Sequence, residues 1–365
     1  MALNDTTRVW VAFSVALCLS WAIMPAAIAL GRRWGLVVRP RLFNKGDGIV
    51  SILGGAALAI AASAGFLGAW GVPEGTGVFM LAALGLLVLG FLDDRSKSWL
   101  FNPSIRLVVQ LAVAGGAYLS GLRSDTPGVL GAVISVLTLT ACMNAFNLLD
   151  NMDGVAGSTG AAVGAGICMT ALLGNQYMVA ALAAAVCGGC LGFLRFNLRN
   201  ARIYLGNGGS LFIGFILGAA ALKLRTPLDF PWGPVAMVAL LALPASDTAV
   251  VIISRLLAGR PVMLGGVDHI SHRLVAVGYS KLTAALVHAG AALLAGLGVA
   301  GAIVTGSPEI LVMVLIFFAA GGLLLLQLNM YDREAVEVPS GLLARVPATV
   351  PAIEPCVCRV RRAIC

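Results

Sequence analysis

Residues 128–154 read GVLGAVISVLTLTACMNAFNLLDNMDG, an apolar run that ends in two amides, Asn144 and Asn147, and two carboxylates, Asp150 and Asp153. A helix needs about 20 mostly apolar residues to cross a bilayer. An ionisable side chain at membrane depth costs roughly 2.5 to 3.5 kcal/mol, so acids there are functional candidates. The stretch therefore predicts a transmembrane helix whose end carries a polar site.

The rest of the 365-residue chain has the same apolar character. Its residues are 59% hydrophobic and only 11% charged, and the mean hydropathy is +0.97. These values and the length of the apolar stretches predict an all-α, polytopic integral membrane protein with about eleven transmembrane helices. The predicted spans are 9–30, 49–71, 77–92, 105–122, 128–149, 155–173, 177–194, 209–224, 233–254, 282–304 and 309–330.

The basic residues predict the orientation of these spans. All of the 24 Lys and Arg residues except Arg8, Arg123, Lys223 and Arg225 fall in alternate loops or in the C-terminal tail. Because cytoplasmic loops hold most Lys and Arg, we expect the N-terminus outside and the C-terminus in the cytoplasm. Residues 1–330 are predicted to form one transmembrane domain with cytoplasmic catalytic loops, and 331–365 a weakly structured cytoplasmic tail. Nucleic-acid binding is disfavoured because the basic residues are dispersed over short loops.

A second acidic pair, Asp93 and Asp94, ends another apolar run on the same predicted side as Asp150 and Asp153. Neighbouring carboxylates repel each other unless a cation lies between them. Mg²⁺ prefers oxygen ligands and commonly uses one or two carboxylates together with substrate phosphates. The acids therefore predict a Mg²⁺ site that faces a phosphate, with Mn²⁺ as an alternative ion. The competing interpretation is that they pair with loop arginines or cap helix ends.

Two further segments carry candidate ligand-binding groups. Residues 268–273, DHISHR, hold two of the three histidines and an arginine, which are donors suited to an anionic diphosphate. Zinc binding there would need further ligands. Residues 206–210, GNGGS, open an apolar helix, where glycines allow close backbone approach and a helix N-terminus attracts phosphate. A glycine-rich helix start without a ligand is equally common. His288 lies inside a span and is predicted to be packed or hydrogen-bonded there.

Four segments, taken in order, resemble the polyprenyl-phosphate N-acetylhexosamine-1-phosphate transferase superfamily. They are GFLDD at 90–94, NAFNLLDNMDG at 144–154, LGNGGSLFIGF at 205–215 and DHISHR at 268–273. The resemblance covers roughly residues 35–330. The DHISHR form is more similar to the undecaprenyl-phosphate GlcNAc-1-phosphate transferases than to phospho-MurNAc-pentapeptide translocase, which has consecutive histidines.

The resemblance implies a reaction in which a polyprenyl phosphate attacks the β-phosphorus of a UDP-amino sugar and UMP is released. It implies an enzyme of the bacterial inner membrane that starts a lipid-linked glycan of the cell envelope, such as lipopolysaccharide or teichoic acid, from the cytoplasmic face. By resemblance, Asp93 is a candidate base. The implied catalytic residues are Asp93, Asp94, Asp150 and Asp153; the metal ligands are Asp150, Asp153 and Asn207; and the substrate-binding residues are Asn144, Asn147, Gly208, Ser210, His269, His272 and Arg273.

Four positions depart from the family pattern: Val38, Lys97, Asn207 and Val267. Asn207 stands where the family usually has an aspartate that binds the metal, and its amide oxygen carries no charge. If Asn207 is a weakened ligand, Asn207→Asp should raise activity.

The alternative function is therefore a weak or inactive homologue that binds lipid phosphate or sugar nucleotide as a transporter or regulator. An aspartate-rich prenyltransferase is a third hypothesis, but its second acidic motif is missing. Small-residue helix faces are compatible with a homodimer.

Overall fold

The computed structural model describes residues 3–38, 49–73, 76–95, 103–124, 126–229, 231–263 and 266–331, with side chains described to residue 327. Over these ranges the chain forms thirteen helices and one short β-hairpin, so the predicted all-α membrane fold is confirmed. The helices are α1 Asp5–Arg33, α2 Gly54–Trp70, α3 Thr76–Arg95, α4 Pro103–Leu119, α5 Gly128–Leu149, α6 Val155–Leu173, α7 Tyr177–Asn197, α8 Gly206–Lys223, α9 Trp232–Leu240, α10 Ala242–Leu257, α11 Ile270–Ala276, α12 Lys281–Thr305 and α13 Glu309–Tyr331. Strands β1 (Val37–Val38) and β2 (Val50–Ser51) pair antiparallel.

Each predicted span corresponds to a helix except the ninth, 233–254, which was wrongly taken as continuous. It is broken into α9 and α10, which meet at an angle of 72°. Pro244 lies just after the break, and it has no N–H to continue the hydrogen-bond ladder from α9. The ninth segment is therefore a bent element.

Seven helices of the described chain are long and apolar enough to cross a membrane, or eight if α9 and α10 count as one span. Two shorter apolar helices, α2 and α4, have 17 residues each. The predicted number of eleven spans and the orientation of the termini stay predictions. The predicted tail beyond residue 331 and the departure at Lys97 lie outside the described residues.

The interior of the bundle is built around α6, α7 and α8, whose residues are mostly buried. Helix α8 begins between α2 and α3 with almost no side chains separating the backbones. A Cβ on Gly90 of α3 would collide with the backbone of Gly208, and one on Gly55 of α2 would collide with Gly209. Glycine is required at these crossings because the helices approach too closely for any side chain. The crossings bring the end of α3 to the start of α8.

His288, and separately Cys187 and Cys190, are packed within helices. His288 of α12 is fully buried, and its Nδ1 lies 2.7 Å from the carbonyl oxygen of Ala284. Cys187 and Cys190 are buried in α7, and a Cβ on the intervening Gly188 would collide with the Phe13 carbonyl of α1. The prediction that His288 is packed or hydrogen-bonded within its helix is confirmed.

Candidate active site

The acidic loop after α5 is held by a side chain from α7. Helix α5 ends at Leu149, and the chain turns through Gly154, whose φ is +83°. The Gly154 N–H donates to Asn197 Oδ1 at 2.7 Å, and Asn197 Nδ2 donates to the Ile203 carbonyl at 2.9 Å. The buried Asn197 therefore joins the loop that carries Asp150 and Asp153 to the segment that leads into α8. The predicted span 128–149 coincides with α5.

The N-terminus of α8 holds two carboxylates from other helices. The backbone N–H of Asn207 donates to Asp94 Oδ2 at 2.9 Å, and Asp150 lies close enough to the Gly206 N–H for that group to oppose the rise in the Asp150 pKa. The first N–H groups of a helix have no partner inside the helix, and its dipole favours negative charge there. The start of α8 thus brings Asp94 of α3 and Asp150 of the α5–α6 loop together. In this respect the prediction that acids cap helix ends also describes the structure.

A chain of side-chain hydrogen bonds runs across four helices beside these acids. Arg106 of α4 donates to Asp93 Oδ2 at 2.7 Å, and Asn207 Nδ2 donates to the same oxygen at 2.7 Å. Asn147 Nδ2 of α5 donates to Asn207 Oδ1 at 2.7 Å and to Ser210 Oγ at 3.0 Å. We call this set of five residues the polar chain.

Negative charge accumulates around Asp150. Burial raises the pKa of the Asp150 carboxyl well above its ordinary value, and the charges of Asp94 and Asp153 raise it further, whereas the Gly206 N–H opposes the shift. Lys281 Nζ lies 3.7 Å from Asp153. Such a group of hard carboxylate oxygens fits Mg²⁺, which would offset the mutual repulsion.

The fit to Mg²⁺ depends on this charge and on the type of donor atom. The described ranges contain no cluster of three or more His, Cys, Asp or Glu side chains arranged to hold a metal ion. Asn207, the remaining predicted ligand, uses its Oδ1 to accept from Asn147. Asp94, Asp150 and Asp153 supply carboxylate oxygens near one another without forming such a cluster, so the predicted metal site stays a prediction.

A buried Asp–His pair lies in the segment around α11. His269 Nδ1 is 2.8 Å from Asp247 Oδ2, and the Ile270 N–H donates to Asp247 Oδ1 at 2.8 Å. Asp247 is fully buried in α10. Because a carboxylate only accepts, Nδ1 carries the proton, and His269 Nε2 makes no hydrogen bond to any described residue. Burial lowers the pKa of His272, and the nearby His269 lowers it further.

Asp268 and Arg273 are engaged in structural contacts. Burial would raise the pKa of Asp268, but hydrogen bonds from Arg260 and Arg255 hold it below its ordinary value. Arg273 is 3% exposed, and it donates to the carbonyls of Asp268 at 2.8 Å and Leu325 at 3.1 Å, and to Ser254 Oγ at 2.8 Å. The structure thus gives Arg273 a role in positioning α10, α11 and α13, and its predicted contact with a diphosphate finds no support in this geometry.

The structure brings Asp93, Asp94, Asn147, Asp150, Asn207 and Ser210 together, as the sequence led us to expect. Gly208 serves the close crossing of α3 and α8. Asn144 instead donates to Gln110 Oε1 of α4. It also donates to the Thr140 carbonyl at 2.9 Å. Asn144 therefore stabilises the α4–α5 contact.

Three residues of the site were missed as functional candidates: Arg106, Asn197 and Asp247. Asp247 carried a usable signal, because it is an acid inside an apolar span and such acids are expensive to bury. Arg106 and Asn197 lie near helix ends, where charged and amide residues are common. Their sequence positions therefore gave no comparable signal.

The chain is similar to known enzymes along most of its length. Residues 76–225 match the sequence model of glycosyl transferase family 4. A probable undecaprenyl-phosphate N-acetylglucosaminyl 1-phosphate transferase of Bacillus subtilis is 30% identical over 293 residues, which cover 77% of this chain and 81% of the relative. The undecaprenyl-phosphate alpha-N-acetylglucosaminyl 1-phosphate transferase of Escherichia coli K12 is 28% identical over 313 residues, covering 80% and 83%. A decaprenyl-phosphate N-acetylglucosaminephosphotransferase of Mycolicibacterium smegmatis is 29% identical over 304 residues, covering 73% and 72%.

Proposed function

The chain belongs to glycosyl transferase family 4, the polyprenyl-phosphate sugar-phosphate transferases, and we propose that it transfers GlcNAc-1-phosphate from UDP-GlcNAc to undecaprenyl phosphate. A terminal oxygen of the lipid phosphate forms a bond to the β-phosphorus of the sugar nucleotide. The bond from that phosphorus to the bridging oxygen breaks, and the oxygen leaves with UMP. The names of the B. subtilis and E. coli relatives support undecaprenyl phosphate and N-acetylglucosamine as the substrates.

One observation carries this proposal: the start of α8 lies beside two carboxylates, because the Asn207 N–H donates to Asp94 of α3, and Asp150 of the α5–α6 loop lies close to the Gly206 N–H. Phosphoryl transfer depends mainly on positioning and on stabilisation of charge, and it needs no covalent intermediate. A rigid group of carboxylates beside a helix N-terminus supports this kind of chemistry. Asp94, Asp150 and Asp153 would hold Mg²⁺, or Mn²⁺ as an alternative, which supplies neutralisation of the diphosphate charge.

Asp93 is the residue that we propose as a base for the lipid phosphate. Its carboxylate is oriented by Arg106 and by Asn207, both at 2.7 Å. A phosphate that carries a proton would lose it to this carboxylate before or during attack. Because two donors from different helices fix one oxygen of Asp93, the other oxygen remains to accept the proton.

The Asp247–His269 pair and His272 are proposed to hold the diphosphate of the sugar nucleotide. Asp247 orients the His269 ring so that Nε2 is available to a ligand, and His272 lies beside it with a ring-centroid separation of 6.1 Å. A negative partner favours the protonated form of an imidazole. Binding of a diphosphate would therefore increase the charge and the donor capacity of His272.

The positive-inside distribution supports a site on the cytoplasmic face of a bacterial inner membrane, where UDP-sugars are made. In that location the product would start a cell-envelope glycan, as the resemblance implies. A homodimer remains compatible with this assignment. Neither the glycan nor the dimer is needed for the chemistry proposed at the α3–α8 junction.

The test is to incubate purified full-length protein with undecaprenyl phosphate, Mg²⁺ and UDP-GlcNAc, and to measure UMP release. We expect release that requires both the lipid and the metal, and a loss of at least about a hundredfold for Asp94→Asn, because a charged group at the reacting centre is removed. Asn200→Asp, in an exposed loop, serves as the control and should retain activity. Release of no UMP from several UDP-sugars, by protein that still binds one of them, would favour the non-catalytic alternative.

A further inference from the structure

We propose that Asn207 is a positioning residue whose amide holds Asp93 in place, and that an aspartate at this position would impair the site. This inference rests on the proposed function, because it assigns Asn207 to the orientation of the proposed base. It replaces the sequence-based prediction that Asn207 is a weakened metal ligand whose change to aspartate raises activity. The observation that carries it is the pair of hydrogen bonds made by the Asn207 side chain.

Both ends of the Asn207 amide are occupied by different helices. Nδ2 donates to Asp93 Oδ2 of α3 at 2.7 Å, and Oδ1 accepts from Asn147 Nδ2 of α5 at 2.7 Å. The same residue also binds Asp94 through its backbone N–H. Asn207 therefore joins three helices through contacts that need one donor and one acceptor on the same side chain.

The chemistry of Asp93 determines which way the amide points. A carboxylate only accepts, so the atom of Asn207 that faces Asp93 must be the NH₂ group. Turning the amide over would place Oδ1 against Asp93 Oδ2 and Nδ2 against Asn147 Nδ2, which breaks both hydrogen bonds. The position thus requires a donor toward Asp93 and an acceptor toward Asn147.

An aspartate at position 207 satisfies only one of these requirements. Its oxygen could still accept from Asn147, but its second oxygen would face Asp93 Oδ2 at the distance of a hydrogen bond. Two carboxylates in such contact repel each other, and the nearby Asp94 and Asp150 would add to the repulsion. Asp93 would then turn away or would share a proton with residue 207. In either case its hydrogen-bonded orientation is lost.

Arg106 is the other group that binds Asp93, and it cannot replace the amide. It approaches the same Oδ2 atom from α4, whereas Asn207 approaches from α8. With both donors present, the carboxylate is held between two helices. Loss of the amide leaves Asp93 attached to α4 alone, so its orientation relative to the start of α8 is no longer set.

The experiment compares wild-type protein with Asn207→Asp, Asn207→Ala, the double variant Asp93→Asn/Asn207→Asp, and the exposed control Asn200→Asp. Thermal unfolding is measured in EDTA and again with Mg²⁺, and UMP release gives kcat and the KM for UDP-GlcNAc. The thermal measurement in EDTA does not depend on metal or on catalysis. The double variant exchanges the two partners and restores an amide–carboxylate pair with its direction reversed.

We expect Asn207→Asp to lower the Tm in EDTA by more than Asn207→Ala does, because only the aspartate adds repulsion. The double variant should recover about half or more of that loss, since the two positions are in direct contact. For Asn207→Asp we expect kcat to fall at least about tenfold, the effect of losing a hydrogen bond to a charged group. The KM for UDP-GlcNAc should stay within about twofold, which indicates lost orientation rather than lost nucleotide binding.

The inference is overturned if Asn207→Asp equals or exceeds the wild type in kcat, or if it gains a larger Tm increase from Mg²⁺ with no loss of Tm in EDTA. Those results would identify position 207 as a metal ligand. Absence of UMP release from the wild type would contradict the proposed function alone. The order of Tm values in EDTA would still decide whether Asn207 and Asp93 are coupled as the hydrogen bonds indicate.

Discussion

Two buried polar residues, Asp247 and Asn197, obtain their partners from other parts of the chain. Asp247 of α10 accepts from His269 and from the Ile270 N–H, so it fixes both an imidazole ring and the start of α11. Asn197 of α7 likewise joins the acidic loop to the segment before α8. In a membrane bundle an unpaired polar group is expensive, so each of these bonds is conditional on the helices being correctly packed.

Asp247→Asn is expected to weaken binding of the sugar nucleotide. The Asn side chain can still accept from the Ile270 N–H, but its NH₂ group would then face the Nδ1–H of His269, so the hydrogen bond that orients the ring is lost. We expect the KM for UDP-GlcNAc to rise about tenfold or more, with a smaller effect on kcat. A value equal to that of an Asp5→Asn control would show that Asp247 does not act through His269.

The lowered pKa of His272 predicts that the binding of UDP-GlcNAc depends on pH. Burial and the neighbouring His269 lower its pKa, so the free protein holds it neutral at pH 7. A diphosphate favours the protonated form, so binding takes up a proton and should tighten as the pH falls from about 8 to about 6, by up to about tenfold per pH unit. Equilibrium binding of UDP-GlcNAc measures this, and His272→Gln should flatten the dependence. The same slope in both proteins would remove His272 from the diphosphate site.

At the scale of the helices, the site depends on how closely α8 approaches its neighbours. Gly90 and Gly55 allow α3 and α2 to touch the backbone of α8 at Gly208 and Gly209. These crossings place the first N–H groups of α8 beside Asp94. The geometry of the carboxylates is therefore set by the distance between helix backbones.

Gly90→Ala should separate α3 from α8 and disturb the site. The added Cβ would collide with Gly208 backbone atoms, and overpacking of this kind costs about 1 to 3 kcal/mol. We expect a lower Tm and a clear loss of UMP release. Gly85→Ala is a matched control on the same helix, since a Cβ at Gly85 meets no atom within 4 Å. Equal behaviour of the two variants would contradict the importance of the crossing.

At the scale of the whole molecule, the four segments of the site meet at one end of the bundle, on the side that the basic residues predict to be cytoplasmic. The loops at Asn175 and Asn200 lie at opposite ends of α7, and both asparagines have a left-handed backbone, with φ of 55° and 52°. They provide a pair of similar positions that should lie on opposite sides of the membrane.

The orientation can be tested with single cysteines at these two positions. In a background with Cys18, Cys168 and the tail residues Cys356, Cys358 and Cys365 replaced by serine, which leaves only the buried native cysteines among the described residues, a membrane-impermeant maleimide applied to intact cells should label Asn175→Cys and not Asn200→Cys. Permeabilised cells provide the control for accessibility, since both positions should then react. Labelling of Asn200→Cys in intact cells would reverse the proposed topology and would move the site away from cytoplasmic UDP-sugars.

The sequence alone determined that this is a helical membrane protein with a carboxylate-rich site, because apolar length and the cost of burying charge can be read from residue type and order. It also located the ends of α3 and α5 and the start of α8. Helical spacing could not show that Asn144 donates to Gln110, that Arg273 donates to the carbonyls of Asp268 and Leu325, or that Asp247 binds His269.

Those facts were decided by the tertiary structure. Periodicity indicates which residues share a face of one helix, but the partner of a side chain comes from another helix whose distance and rotation depend on packing. Asn207 is the clearest case. Its residue type suggested a damaged metal ligand, whereas its place between Asp93 and Asn147 makes the amide a group that fits, because it offers a donor to one and an acceptor to the other, which a carboxylate does not.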